Sequence, residues 1–319
     1  MLTSILGLRS PLINILNPNF LTLALLPSDS DKSPAAPTPS SETSPSGAQD
    51  GPSLKTLATI SILSGTLGLA AMTAFQSLTG YLFLLALFGP TGARSYMTEF
   101  LRADVSALAP EQLASRAAMA REPRYTIFLA LFAPFSAALP EELLKYLPVL
   151  WVRRKAQAQE GRDRQLDKRA AVSAATAASL GFALVELAAY VQAAAATSTG
   201  PPMAVTLSER VLVGLPGHVA MAVLSASRGA GADAGGDESP RSGWRDVFRA
   251  VAPSVLYHAL FDFVLFGSSA WVGGHVGWVH PEGVRAVAGT LGACVCVQGV
   301  LYAHTARSWL GWGEKSKRE

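Results

Sequence analysis

Long apolar stretches separated by short polar segments dominate the chain from residue 54 onward. No charged residue occurs from Thr56 to Gly89, a run longer than the roughly 20 residues that one membrane-spanning helix requires. We interpret this run, whether one tilted helix or a helix with a re-entrant piece, as a single span. The pattern therefore predicts an all-α, polytopic membrane helix bundle of about six spans, at 56–89, 125–151, 170–193, 210–227, 248–269 and 284–306.

The segments outside these spans differ from them in composition. Residues 1–53 include a long stretch that is rich in serine and proline. We predict that this segment is disordered, because such a composition cannot bury a core. Residues 91–124 carry mixed charges and are predicted to form an amphipathic surface region, which joins the first span in a unit covering 54–124. The other spans form a membrane domain, 125–306, followed by a basic tail, 307–319.

The charged residues are distributed asymmetrically between the loops. Only 15% of the 319 residues are charged, well below the roughly 25% of soluble domains. Residues 153–169 hold seven basic and three acidic residues, whereas 194–209 and 270–284 contain no lysine or arginine. Because basic loops stay in the cytosol, we expect both termini there, in a membrane that the sequence does not identify. The lipid bilayer is thus a partner, and a net charge of only +3 does not suggest nucleic acid.

Ionisable residues occur in the interior of four spans. Charges at membrane depth are costly, so by default they mark a functional site. Counted from the cytoplasmic end of each span at about 1.5 Å per residue, the acids and histidines lie about 14 to 24 Å deep. That band surrounds the middle of a core about 30 Å thick, so we expect one shared site. The residues are Glu141, Glu142, Lys145, Glu186, His218, His258 and Asp262.

Spacing along the helices supports a shared site. His258 and Asp262 are four residues apart, as are Glu141 and Lys145, so each pair lies on one helix face. Taken singly, each feature has a structural explanation. Glu141 and Lys145 would form an intrahelical ion pair, and Asp262 would fix one tautomer of His258. Together these explanations weaken, because every buried charge carries its own cost.

Two prolines precede the polar residues in their spans. Pro140 suits the first turn of a helix, which would place the two following glutamates at a positive helix end that favours carboxylates. Pro216 and Gly217 stand immediately before His218, and they suggest a break or kink in that span.

Four stretches occur in order between Pro140 and Phe266: "PEELLKYLPVL", "GFALVELAAYV", "GHVAMAVLSA" and "HALFDF". They resemble the four motifs of the PrsW-type intramembrane proteases, namely EExxK, a glycine-phenylalanine run leading to a glutamate and a tyrosine, a histidine that opens a small-residue helix, and HxxxD or HxxxN. Leu187 stands where the family often has asparagine, and the first 120 residues resemble no family that we recognise.

The resemblance implies a membrane-bound endopeptidase that cleaves a membrane-embedded or membrane-adjacent protein, distantly similar to the type II CAAX prenyl endopeptidases. Lys145 corresponds to the lysine of the first motif and would support the glutamates. The residues that correspond to the chemistry-bearing positions of the family are Glu141, Glu142, Glu186, His218, His258 and Asp262.

Two chemical arrangements remain open at this stage. In the first, Glu141 or Glu142 is a general base that activates water, while His218 or His258 polarises the carbonyl. In the second, glutamates and histidines hold a zinc ion that activates the water, and the ligands would come from Glu142, Glu186, His218 and His258. The chain has no HExxH sequence and its candidate ligands lie on several helices, so the sequence leaves both open, with a preference for glutamate-activated water.

Two other functions would use the same buried residues. Acid–histidine relays at the membrane midplane also carry protons in transporters, although no internal repeat is found between the two halves of this chain. A membrane scaffold or binding protein without catalytic activity is the other alternative.

Overall fold

The computed structural model describes residues 51–102, 105, 107–160, 168–197, 207–232, 244–278 and 283–315. The predicted disordered segment, 1–53, lies almost wholly outside these residues. The α-helices in the described part are α1 (Leu54–Leu63), α2 (Leu69–Phe100), α3 (Pro110–Arg121), α4 (Pro123–Leu131), α5 (Leu139–Glu160), α6 (Lys168–Thr197), α7 (Leu215–Ala232), α8 (Trp244–Trp271) and α9 (Val284–Lys315). Wider π-helical turns precede α2, α5 and α7, at Ser64–Gly68, Phe132–Ala138 and Arg210–Gly214.

The predicted multi-pass membrane bundle is confirmed. Within the described residues, six helical segments are long and apolar enough to cross a membrane, and they coincide with the six predicted spans. They cover Leu54–Phe100, Pro123–Lys155, Lys168–Gln192, Leu207–Ala230, Trp244–Trp271 and Val284–Leu310.

The first of these segments bends at Gly89. Its 47 residues would measure about 70 Å as a straight helix, more than twice the thickness of a hydrocarbon core. Gly89 has φ 70° and ψ 178°, a conformation that is essentially restricted to glycine. Pro90 follows it and has no N–H to continue the ladder of helical hydrogen bonds. The helix therefore changes direction here, and the last turns of α2 run separately from the apolar part.

The core of the bundle is a ring of four helices, in which α5 packs on α6, α6 on α7, α7 on α8 and α8 back on α5. Helix α9 packs outside α7 and α8, and α1 packs outside α6. The contact between α1 and α6 is close because it is made by glycine: a Cβ atom on Gly181 would overlap the backbone carbonyl of Ser61, and one on Gly65 would overlap that of Gly181. All predicted site residues lie on the four ring helices.

Helix α3 is joined to the connection between α8 and α9. The buried guanidinium of Arg116 donates to the side chain and the backbone carbonyl of Glu99, and also to the carbonyl of Val276. The hydroxyl of Tyr125, at the start of α4, accepts a 2.8 Å hydrogen bond from Gly277 N–H. The region predicted as an amphipathic surface segment therefore lies on the same face of the bundle as the 272–278 connection.

Pro140 and Pro216 lie in the first turns of α5 and α7, and neither interrupts the helical backbone. Leu139 (φ −60°, ψ −53°) and Leu215 (φ −58°, ψ −49°) are both helical, and each joins a π-helical turn to the helix that follows. Proline has no N–H, and its ring conflicts with the carbonyl four residues before it. The wider turn just before each proline relieves that conflict without ending the helix. Glu141 and Glu142 thus lie in the first turn of α5, as predicted, but the preceding π-helical turn continues into that turn, so the positive helix end that was expected there is not formed.

Candidate functional site

The first part of the site lies at the beginning of α5, directly after the second π-helical turn. Glu141, Glu142 and Lys145 are all buried, with exposures of 3%, 2% and 1%. The ammonium nitrogen of Lys145 lies 2.6 Å from Glu141 Oε1 and 3.0 Å from Glu142 Oε1. One lysine therefore faces both glutamates, as the three- and four-residue spacings predict.

His218 joins this group from α7. Its Nδ1 lies 2.6 Å from Lys145 Nζ, and its Nε2 lies 3.1 Å from Glu186 Oε2 on α6. An ammonium group can only donate hydrogen bonds, so Nδ1 accepts and the proton of a neutral ring is on Nε2, from which it is donated to Glu186. Both ring nitrogens of His218 are thereby engaged.

His258 approaches the glutamates from α8. Its Nδ1 lies 2.9 Å from Glu142 Oε1, which accepts the Nδ1–H. Its Nε2 lies 3.5 Å from Asp262 Oδ2 and 3.8 Å from Glu141 Oε2. The two imidazole rings are almost perpendicular, with centroids 5.5 Å apart. The second nitrogen of His258 thus faces a gap between two carboxylates instead of a close partner.

A chain of serine hydroxyls fixes the helix that carries His258 to the one that carries His218. Ser225 of α7 donates a 2.7 Å hydrogen bond to the hydroxyl of Ser254, which donates at 2.8 Å to the carbonyl of Met221. Ser254 lies one helical turn before His258, on the same face of α8. Buried hydrogen bonds, in addition to apolar packing, therefore fix the position of α8 relative to α7.

The glycine-phenylalanine pair of the second motif has a structural role next to the site. Lys145 Nζ lies 5.2 Å from the centroid of the Phe182 ring, a distance at which the ring face attracts a cation. Gly181, the preceding residue, is a point of close contact between α6 and α1. The pair thus brings an outer helix against the ring of four and places an aromatic face beside the buried ammonium.

The site is closed at one edge and more open at the other. The side chains of Glu141 and Glu142 are 4% and 1% exposed. Those of Glu186 and Asp262 are 20% and 16% exposed. Glu186 on α6 and Asp262 on α8 are therefore the more accessible acids of the site.

Sequence reasoning missed a further buried cation near the site, Arg210, at the beginning of the α7 span. Its guanidinium carbon lies 3.7 Å from the centroid of the Tyr190 ring, and its side chain is 10% exposed. A signal was present, because Arg210 stands at the start of an apolar span whose preceding segment, 194–209, carries no basic residue. Tyr190 is the tyrosine of the second motif, so the contact also gives that residue a partner.

Four of the site residues are arranged as a possible metal centre. Their ligand atoms lie within 4.8 Å of one another, and the four are Glu141, Glu142, His218 and His258. The group differs from the predicted ligand set in one member, since it contains Glu141 and lacks Glu186, which bonds to His218. Carboxylate oxygen and imidazole nitrogen are the donors that zinc prefers beside thiolate, so this set fits a divalent cation.

Comparison with known protein families matches residues 101–281 to the PrsW family intramembrane metalloproteases. The chain belongs to the PrsW family. It is accordingly a membrane-bound peptidase, and membership does not favour a transporter or a scaffold. Comparison with curated proteins and with solved structures found no significant match. The PrsW match begins at residue 101, so the expectation that the first 120 residues resemble no family is wrong for residues 101–120, which include much of α3. The match ends before α9, and the predicted domain limits of 125 and 306 stay a prediction.

Proposed function

We propose that this PrsW-family peptidase hydrolyses a peptide bond in, or next to, the membrane-embedded part of another protein, using water activated by Glu141. The observation that supports this choice is the difference between the two adjacent glutamates. Glu142 Oε1 accepts from both Lys145 and the Nδ1–H of His258. Glu141 Oε2 instead faces His258 Nε2 across 3.8 Å.

A gap of that size suits one bridging oxygen atom. A water between Glu141 Oε2 and His258 Nε2 would make two hydrogen bonds of ordinary length, about 2.7–3.0 Å each. From there Glu141 would accept a proton from the water as it attacks the carbonyl and later return that proton to the leaving amine. Glu142 holds Lys145 and His258 in place and would act as a positioning residue.

The histidines have separate roles in this proposal. Both nitrogens of His218 are engaged, by Lys145 and Glu186, so this ring orients the ammonium and does not meet the substrate. His258 Nε2 lies beside Asp262 at 3.5 Å and in the gap where the reaction would occur. Since its Nδ1–H is donated to Glu142, His258 would act as the doubly protonated imidazolium, whose Nε2–H would donate to the carbonyl oxygen and stabilise the charge that develops there.

The family description includes a metal, and the donor set fits one. A divalent ion such as zinc would be held by Glu141, Glu142, His218 and His258, where it would supply a Lewis acid that polarises the carbonyl and makes water more acidic. Lys145 contacts Glu141, Glu142 and His218. The ammonium and a bound cation would consequently compete for the same donors.

The orientation proposed for the chain places both termini in the cytosol. The basic segment 153–169 and the connection at 272–278 then lie on opposite faces of the membrane, and the α3 region lies with the latter. A substrate would be a membrane protein that reaches the site laterally or from the face opposite the basic loops.

The test uses purified protein in lipid nanodiscs with a quenched fluorescent transmembrane peptide as substrate. Glu141→Gln keeps the size of the side chain but removes the basic carboxylate, so turnover should fall at least about 100-fold with unchanged thermal unfolding. Glu111→Gln, an exposed glutamate on α3, is the matched control and should cleave like wild type.

A chelator arm and metal analysis by mass spectrometry address the cation. Loss of cleavage on chelation, with recovery on adding zinc and about one ion per wild-type chain, supports the metal form. Cleavage that persists in chelator, with no stoichiometric metal, supports water activated by the glutamate alone. Wild-type rates in Glu141→Gln would contradict the proposed role of Glu141 in either form.

A further inference from the structure

Arg210 is a buried guanidinium whose Nε–H lacks a hydrogen-bond acceptor among the described residues. The atom nearest to its Nε in an ion pair is Glu209 Oε1, at 3.8 Å, which is too long for a hydrogen bond. Its Nε is buried and unpartnered in that part of the chain. The planar group instead stacks on the ring of Tyr190, 3.7 Å from its centroid. A buried donor without an acceptor lowers the stability of the protein unless a bound molecule supplies the acceptor.

The position of Arg210 relates it to the catalytic group. Tyr190 lies one helical turn after Glu186, on the same face of α6. The charge of Arg210 interacts with Glu186 and with Asp262, the two acids at the more exposed edge of the site. A substrate that approached the gap between Glu141 and His258 from this edge would therefore pass beside Arg210.

The chemistry around Arg210 favours a neutral acceptor over an acidic one. Three carboxylates already interact with the guanidinium, those of Glu186, Glu209 and Asp262, and a fourth negative group would be repelled by them. A transmembrane helix that is unwound for cleavage exposes backbone carbonyls, which are costly to leave unpaired in an apolar environment. The guanidinium offers several N–H donors in a fixed fork, which can pair with such a carbonyl.

We propose that Arg210 is a substrate-binding residue whose guanidinium, held against Tyr190, donates hydrogen bonds to a main-chain carbonyl oxygen of the unwound substrate segment beside the scissile bond. This inference rests on the proposed peptidase function and adds the part of the substrate that is recognised. It also predicts which substrates bind less well: those with an acidic side chain at the position next to Arg210, because that side chain would face the three carboxylates.

The test separates binding from turnover. The probe is a fluorescent synthetic transmembrane peptide, rich in leucine with a helix-weakening Gly-Pro centre, in phosphatidylcholine nanodiscs. Its dissociation constant is measured by energy transfer to protein that carries Glu141→Gln, so that nothing is cleaved. Adding Arg210→Gln should raise the dissociation constant about tenfold or more, the loss expected for hydrogen bonds from a charged donor. In the Glu141 background, KM for cleavage should rise by a similar factor while kcat changes little.

Two further variants keep the result interpretable. Arg210→Lys retains the charge and should fold, yet it loses the planar fork, so its affinity should lie between wild type and Arg210→Gln. Arg249→Gln removes an exposed arginine near the start of α8 and should bind like its parent.

The inference is overturned if Arg210→Gln binds the peptide as tightly as its parent. It is equally overturned if kcat and thermal stability fall while KM and the dissociation constant stay the same, because that is the result of a purely structural arginine. Either outcome leaves the proposed role of Glu141 intact, since that is tested by cleavage alone.

Discussion

Lys145 Nζ lies 2.6 Å from His218 Nδ1 and thereby joins the first motif on α5 to the third motif on α7. The contact assigns the neutral His218 ring a single tautomer, with the Nε2–H directed at Glu186. In the proposed mechanism the two histidines have different roles, because His258 keeps a nitrogen that faces the gap beside Glu141. The lysine is consequently the centre of the buried network, with both glutamates and one histidine as its neighbours.

Replacing Lys145 should destabilise the fold as well as abolish activity. Lys145→Ala leaves Glu141 and Glu142 buried without their cation, and breaking a buried ion pair by removing one partner costs about 3–5 kcal/mol. The free energy of unfolding, measured by steric trapping in detergent micelles, reports this loss. Lys155→Ala is the control, because Lys155 is exposed near the end of α5 and such changes usually stay within about 0.5 kcal/mol. Equal stability of the two variants would contradict the network.

Glu186 is predicted to act through His218, which two substitutions can distinguish. Glu186→Gln keeps an oxygen that accepts the Nε2–H of His218, so it should lower kcat by less than about tenfold. Glu186→Ala leaves that buried N–H unpaired, at a cost of about 1–3 kcal/mol, and should lower kcat by about 10- to 100-fold. Nitrogen chemical shifts of the His218 ring provide an independent readout of the tautomer. Identical kinetics and identical ring shifts in the two variants would refute this role.

The glycine contact between α1 and α6 predicts an unequal response to alanine. A Cβ atom on Gly181 overlaps the carbonyl of Ser61, so Gly181→Ala should separate the helices and destabilise the protein by about 1–3 kcal/mol. Gly292 on α9 has open space around it. Gly292→Ala should be neutral or stabilising, because alanine favours a helix over glycine by about 1 kcal/mol. Thermal unfolding of both variants checks the difference, and a neutral Gly181→Ala would mean that the close contact is absent.

The proposed orientation can be tested on a background in which Cys294 and Cys296 are replaced by alanine. Ser115 on α3 and Arg249 on α8 are both exposed, and we predict that they lie on opposite faces of the membrane. In sealed membrane vesicles with the cytosolic face outward, a cysteine at position 249 should react with an impermeant maleimide, whereas a cysteine at 115 should react only after permeabilisation. The reverse pattern would invert the orientation, and labelling of both from outside would refute the span arrangement between them.

Much of this structure is predictable from the sequence because burial in a membrane restricts what a residue can be. The six spans follow from uncharged length, and the site residues are visible because each is an exception within an apolar helix. Glu141 and Glu142 show where such reasoning ends. They are neighbours of the same type, and only the packing of α5 against α8 determines that one accepts two donors and the other faces a gap.

Arg210 and Pro140 show two further limits. Arg210 stands at the predicted end of a span, where a long basic side chain is expected to extend toward water, and its burial depends on Tyr190 from another helix. Pro140 is compatible with the start of a helix, a kink or a π-helical turn. The choice among these depends on how the preceding residues pack, which local sequence does not determine.

Because of the π-helical turns before Pro140 and Pro216, the chemistry depends on how many residues each turn contains as well as on which residues form the motifs. Each π-helical turn contains about one more residue than a turn of the surrounding α-helix. Deleting a single residue from 132–138 would allow an ordinary helix, but it would rotate everything that follows by about 100°. Glu141 and Glu142 would then face away from His258, although every motif residue would still be present. For a family with this construction, a gap of one position in an alignment ahead of the first or third motif would be a stronger sign of lost activity than many substitutions within the motifs.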